Sequence, residues 1–492
     1  MLTVAVFLPL AGALVIVTLL RHAKVIRGFA VAVTVADLAV AALVFLAYDS
    51  QKGGPQLVQQ LNWIAPLNVQ YYLGLDGLNA PMVLLTGLVG MCAALASWHI
   101  EVRVREYFAW LLLLQTAAMG VFLSLDFVLF FTFWELELVP MYFLISIWGS
   151  GRKEYSAMKF LIFTLWGSAF MLVGILVLYF SAGTFDMTVL ARSDLTNLLV
   201  PTQMVFFFFF LAFAIKLPAW PLHSWLPDAH TDAPTAGSVM LAGVLIKMGG
   251  YGLIRVGVAM FPQAARDYSW LIVAMGVIGI IYGAIVTLKQ SDLKRLVAFS
   301  SISHMGLVLL GVGSVGTVAA KITPVGLNGA AMQMFTHGTI IGLLFLLVGL
   351  ISEKAHTRYI PDLGGLASRM PFVAAVFMLA GLASLGLPTL SGFVSEILVF
   401  LGAFVAWGWP TAIAVFGVIL TAGYILWMIQ RVLFGPVLPR YARLGDATVM
   451  EALPLVVLVI AIVAVGLYPS ILTNVFSAGI DPIVERLRLL GT

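Results

Sequence analysis

Apolar runs of about twenty residues, each closed by a short polar or basic stretch, recur along the whole chain. The hydrocarbon core of a bilayer takes about 20 helical residues, so each run predicts a spanning helix. They fall near residues 2–20, 27–48, 78–97, 107–124, 126–148, 157–180, 204–226, 235–258, 269–288, 296–314, 325–350, 372–404, 408–432 and 452–475. The pattern therefore predicts an all-α polytopic membrane protein of about fourteen transmembrane helices. The longest connection, residues 49–75, is expected to be a loop, and no long tail is expected after the last span.

Two runs carry residues that a continuous helix does not tolerate. KLPAWPLHSWLPDAH follows Lys216 with Pro218, Pro221 and Pro227, and GLASLGLPTLSGFVSE places Gly386, Pro388 and Gly392 ahead of Glu396. Proline removes a backbone donor, and the freed carbonyl is tolerated at membrane depth only where it faces protein or a wet cavity. Paired broken spans point to an inverted-repeat transporter with its ion site at the breaks. The two broken runs lie five spans apart, which predicts one five-helix unit over 107–258 and a second, inverted unit over 269–432. Helices 1–3 (residues 1–106) and the last helix (452–475) flank them in one membrane domain, residues 1–492.

Composition agrees with the pattern: 62% of the 492 residues are hydrophobic, 10% are charged, and mean hydropathy is +1.07. No basic tract suggests a nucleic-acid partner. The lone Cys92 cannot supply a disulfide framework or a cysteine-ligated cluster. Seventeen basic residues fall in odd-numbered loops against seven, Lys321 among them, in even-numbered loops and the tail. The positive-inside rule then puts both termini on the outer side.

A charge at the bilayer centre costs about 2.5–3.5 kcal/mol on insertion scales, so intramembrane ionisable groups are functional candidates. Glu135, Glu137, Lys216, Lys247, His304, His337 and Glu396 form the roster. Glu135 and Glu137 are about 200° apart around a helix, so they are not expected to share one partner. Asp228 and His230 are expected to cap the broken helix.

FWELELVPMYFLISIWG, KLPAWPLHSWLPDAHTDAPTAGSVMLAGVLIKMGGYGLIR, LKRLVAFSSISHMG and LPTLSGFVSEI closely resemble the antiporter-like subunits of respiratory complex I, the M type of NADH–quinone oxidoreductase above all. The likeness runs over roughly residues 70 to 430. It implies fourteen helices, two inverted five-helix repeats and broken seventh and twelfth helices. By position it implies that Glu135, Lys216, Lys247 and Glu396 translocate protons and that His304 and His337 relay them. Glu137 lies outside the general bacterial pattern, and WELEL is similar to the D subunit of photosynthetic NDH-1, driven by ferredoxin. The resemblance further implies L- and N-type partners in a bacterial plasma membrane or a thylakoid. Flavin, iron–sulfur clusters and quinone would sit in other subunits, none in this chain.

The mechanism it implies pairs Glu135 with Lys216, sends the proton to Lys247, and passes it through His304 and His337 to Glu396. A Mrp-type cation/proton antiporter subunit is the near alternative, sharing the fold. A solute carrier holding an organic anion at Lys216 and an inert membrane scaffold are the more distant ones.

Overall fold

The computed structural model describes residues 1–316 and 322–489; the expectation for Lys321 lies outside the described residues. Among the described residues, ten helices are long and apolar enough to cross a membrane, and five shorter apolar helices accompany them. In order, the helices that build the bundle are α1 (Leu2–Thr18), α2 (Ala23–Leu46), α3 (Ala80–Ala96), α4 (Val104–Leu123), α5 (Phe127–Leu136), α6 (Leu138–Trp148) and α7 (Lys153–Ala182). They continue as α8 (Thr202–Lys216), α9 (Trp225–Asp232), α10 (Thr235–Val258), α11 (Ser269–Leu288), α12 (Leu293–Val312) and α13 (Val325–Ala355). The rest are α14 (Pro371–Ser384), α15 (Ser391–Ala406), α16 (Gly408–Leu433), α17 (Val449–Leu467) and α18 (Ser470–Leu489).

Burial sorts these helices by role. The most apolar stretches of α12 and α13 are buried throughout and that of α10 nearly so, whereas α2, α7, α16 and α17 keep most of theirs facing outward. Aliphatic side chains on the outer helices suit lipid as well as they suit a core. Small residues set the inner spacing. Gly276 on α11 and Gly306 on α12 each lie against the other's backbone, leaving no room for a Cβ on either.

Two features depart from the expected all-helical outline. Residues 49–75 are not a plain loop: β1 (Gln56–Ile64) and β2 (Val69–Leu75) form an antiparallel hairpin. Its turn closes through Asn68 in the left-handed region, where asparagine is tolerated. At the other end, the helix expected over 452–475 stops at Leu467, because Pro469 cannot continue it. A second helix, α18, follows it and buries Leu472, Phe476, Ile480, Val484 and Leu487 on one face.

Both interrupted runs are broken where expected. α8 ends at Lys216 and the chain resumes helix at Trp225; α14 ends at Ser384 and α15 begins at Ser391. α10 is continuous but carries two wide, π-helical turns, Leu241–Leu245 and Leu253–Val258.

Candidate functional site

The first break holds the first charge. Lys216 is the last residue of α8, and Trp225 on α9 donates its indole N–H to the Ile215 carbonyl at 2.9 Å, tying the two halves across the gap. The Lys216 side chain is 1% exposed and makes an ion pair with the Glu137 carboxylate, itself 0% exposed. Aromatic faces complete the cage: Nζ lies 5.5 Å from the Trp134 ring centroid and 5.6 Å from that of Phe160. Such contacts favour a cation.

The expected pairing of Glu135 with Lys216 is therefore corrected: the contacting carboxylate is Glu137. Glu135 is partly exposed and faces the Ser168 hydroxyl, and its Oε1 has no hydrogen-bond partner. The physical reason is the break between α5 and α6, which falls on Glu137. Pro140 has no N–H for the Leu136 carbonyl, and the loosened turn aims Glu137 inward. Glu135 nevertheless stays close enough to interact electrostatically with Lys216, so the two glutamates do share that partner, Glu137 by contact and Glu135 through its field.

Lys247 lies one helix further on. α10 is locked against the first break through Gly249, where any Cβ would overlap the Leu217 amide and Phe213 carbonyl. The π turn over Leu241–Leu245 shifts the backbone register, and the Lys247 ammonium donates to the Ala242 carbonyl. Its Nζ also lies 2.7 Å from His337 Nδ1 on α13, while His337 Nε2 is buried with no partner. The lysine is 0% exposed.

His337 meets His304 of α12 with ring centroids 5.3 Å apart. His304 Nδ1 faces the Ser300 carbonyl at 2.8 Å, and Nε2 faces the Ser384 carbonyl at 3.1 Å. The second acceptor is a product of the broken run. In a continuous helix Ser384 would receive its bond from residue 388, but Pro388 has no N–H. Two carbonyl acceptors are both satisfied only when the imidazole carries both protons.

Glu396 of α15 closes the row, its Oε1 3.9 Å from His304 Nε2. Gly386 makes space for it: its φ is +79°, and a Cβ there would collide with the Glu396 carboxylate. Ser395 beside it donates to Gln333 Oε1 at 2.5 Å and meets the Thr336 hydroxyl at 2.8 Å, binding α15 to α13.

Asp228 and His230 do not cap a helix end; both are buried within α9. Asp228 holds Lys159 of α7 at 2.7 Å and Arg295 of α12 at 3.4 Å. The neighbouring Asp232 accepts from Ser156 at 2.6 Å. Lys159 and Lys294, near the starts of α7 and α12, both point inward, Lys159 onto Asp228 and Lys294 onto the Ala233 carbonyl. The signal was present in the charged run that opens each helix. Asp37, buried within α2, is a further intramembrane acid whose sequence signal is that it stands alone in an apolar run.

A family model described as NADH:quinone oxidoreductase/Mrp antiporter, TM matches residues 124–422. NADH-quinone oxidoreductase subunit M of Rhodobacter capsulatus is 38% identical over 100% of this chain and 98% of its own. NAD(P)H-quinone oxidoreductase chain 4 1 of Synechococcus elongatus is 41% identical over 99% of this chain and 92% of its own. Among solved structures, a chain of respiratory complex I from Thermus thermophilus with bound NADH superposes with a TM-score of 0.90 at 30% identity, covering 100% of both chains. A chain of the Mrp complex from Dietzia shares the fold, with a TM-score of 0.86 at 23% identity over 99% of both.

Proposed function

The chain belongs to the NADH:quinone oxidoreductase/Mrp antiporter family as a complex I antiporter-like membrane subunit of the M (chain 4) type, and from that premise we propose how it moves protons. The observation that carries the reading is the buried row Lys247–His337–His304–Glu396, with a 2.7 Å Nζ–Nδ1 contact, ring centroids 5.3 Å apart and a 3.9 Å Nε2–Oε1 approach along it.

In this reading Lys216 and Glu137 form the gate. While the pair is closed, the carboxylate stabilises the ammonium and Lys216 keeps its proton. Separating the pair, by a field from a neighbouring subunit, leaves an uncompensated buried cation that releases its proton toward Lys247. Lys247 then hands a proton from Nζ to His337 Nδ1. His304 gives its Nε2 proton to Glu396 at the second break and is then reprotonated by His337, whose ring centroid lies 5.3 Å away, so that both rings return to their starting state. Glu135, near Ser168 and with one free oxygen, is the carboxylate that the opened pair can reach for. The proposed translocating residues are thus Glu135, Lys216, Lys247 and Glu396, with Glu137 added, and His304 and His337 as relays.

The finer architecture belongs to the same proposal. Taking α14 and α15 as halves of one span, the ten long and five short apolar helices give fourteen spans. Two inverted five-helix units, 107–258 and 269–432, account for why Lys216 and Glu396 each lie beside a break. The redox groups, flavin, iron–sulfur clusters and quinone, belong to other subunits, and the flanking partners are L- and N-type relatives. The host is a bacterial plasma membrane or a thylakoid, with both termini on the outer side.

Reconstitution of the assembled complex with Lys216→Met tests the proposal. Quinone reduction coupled to fewer protons per electron supports it, and an unchanged ratio overturns it. Replacing sodium in the medium with choline separates this reading from a Mrp-type cation exchange, since only the latter needs sodium.

A further inference from the structure

α2 carries one ionisable group in its middle, Asp37, 0% exposed and far from the row of lysines and histidines in sequence. Its Oδ2 accepts from the Gln115 amide of α4 at 2.5 Å. The opposite arms of both groups, Asp37 Oδ1 and Gln115 Oε1, are buried and have no partner.

The pocket around the amide is built for it. A Cβ at Gly90 of α3 would overlap the Gln115 amide, so only glycine leaves it room. On either side the packing is apolar: Val33 fills the space beside Gly12, and Leu38 and Ala41 lie against Gly87.

Among the described residues, no charged group nearby compensates a carboxylate. α1 and α3 contain no charged residue. On α2 itself the nearest cation is Arg27, ten residues away or about 15 Å along the helix, and it donates to the Ile100 carbonyl. On α4, Arg105 and Glu106 lie in the first turn, about 13 Å or more from Gln115.

An ionised Asp37 would thus be an unpaired charge in an apolar cage, beside an amide oxygen that also lacks a donor. Both orphaned oxygens are acceptors, and one proton satisfies both. An acid O–H at Oδ1 donates to Gln115 Oε1, while the amide N–H continues to serve Oδ2. Carboxylic acid and primary amide then match edge to edge.

We propose that Asp37 is a proton-binding site separate from the lysine–histidine row, held as a neutral acid that pairs with the Gln115 amide and joins α2 to α4 across Gly90. The proposal does not rest on the translocation reading. It leaves the buried contact between α2 and α4 without a net charge.

Infrared difference spectroscopy on the assembled complex tests it. Asp37→Asn is expected to remove a carboxylic-acid carbonyl band that shifts down in D2O. Gln115→Leu is expected to move the same band to higher frequency, because the acid loses its acceptor. Loss of carboxylate bands in Asp37→Asn, in place of the acid band, overturns the proposal. Should that variant fail to assemble, Gln115→Leu decides alone: a displaced acid band sustains the site and no displacement overturns it.

Discussion

Lys216 and Glu137, 79 residues apart in sequence, meet as an ion pair with both side chains out of contact with solvent. Removing one partner of such a pair leaves a buried charge and costs about 3–5 kcal/mol. Glu137→Gln is therefore expected to lower the melting temperature of the assembled complex and to cut proton pumping steeply. Glu135→Gln, at a partly exposed position without an ion-pair contact, is expected to be the milder change in stability. Melting curves and proton-to-electron ratios on the two variants check the order; a larger stability loss in Glu135→Gln would reverse the assignment.

What the sequence could say about this pair was limited by geometry. The 200° separation of Glu135 and Glu137 dictates that one faces the lysine, but not which. That choice depends on how the chain turns at the α5–α6 break and on how far α8 reaches before Lys216, both set by packing. The breaks themselves were legible, because Pro218 and Pro388 announce missing donors in apolar runs. Lys247, His304, His337 and Glu396 were legible as costly charges or polar rings in such runs. Their alignment was not, since it requires α10, α12, α13 and α15 to meet. The hairpin over Gln56–Leu75 is hidden because β1 is largely exposed and lacks a clean apolar face, while β2, though mostly buried, is short and does not alternate. Helix α18 is hidden because the apolar run continues to residue 475 across Pro469, the stop signal between the two helices.

Pro388 is expected to act through the carbonyl it leaves free. Pro388→Ala restores an N–H four residues beyond Ser384 and lets it compete with His304 Nε2 for that oxygen. The net worth of such a hydrogen bond is about 0.5–1.5 kcal/mol, so stability is expected to change little. Pumping is expected to slow while quinone reduction without a gradient persists. Equal loss of both activities would show that the proline serves only to fold the break.

Gly386 combines a left-handed backbone with proximity to Glu396. An alanine there meets two costs: about 1–2 kcal/mol for a Cβ in the left-handed region, and displacement of the carboxylate. Gly386→Ala is expected to lower thermal stability and to impair pumping, whereas Gly435→Ala shares the positive φ but has open space around it. Comparing the two isolates the collision with Glu396. If both variants pump alike, the carboxylate tolerates displacement and its position is not critical.

Asp228 joins three helices, α9, α7 and α12, through Lys159 at 2.7 Å and Arg295 at 3.4 Å. Its side chain is 11% exposed, and that of Arg295 is 39% exposed, so the two contacts are unequal. The pair with Lys159 is shielded and is the stronger anchor; the pair with Arg295 is open to screening by salt. Asp228→Asn is expected to loosen α9, which carries the far side of the first break, and to leave Lys159 without its anion. Arg295→Gln is expected to have a smaller effect that fades as ionic strength rises. Hydrogen–deuterium exchange of residues 225–232 in the assembled complex reads this directly. Faster exchange in Asp228→Asn than in Arg295→Gln is the expected result, and equal protection in both variants and the unaltered protein would show that packing alone holds the helix.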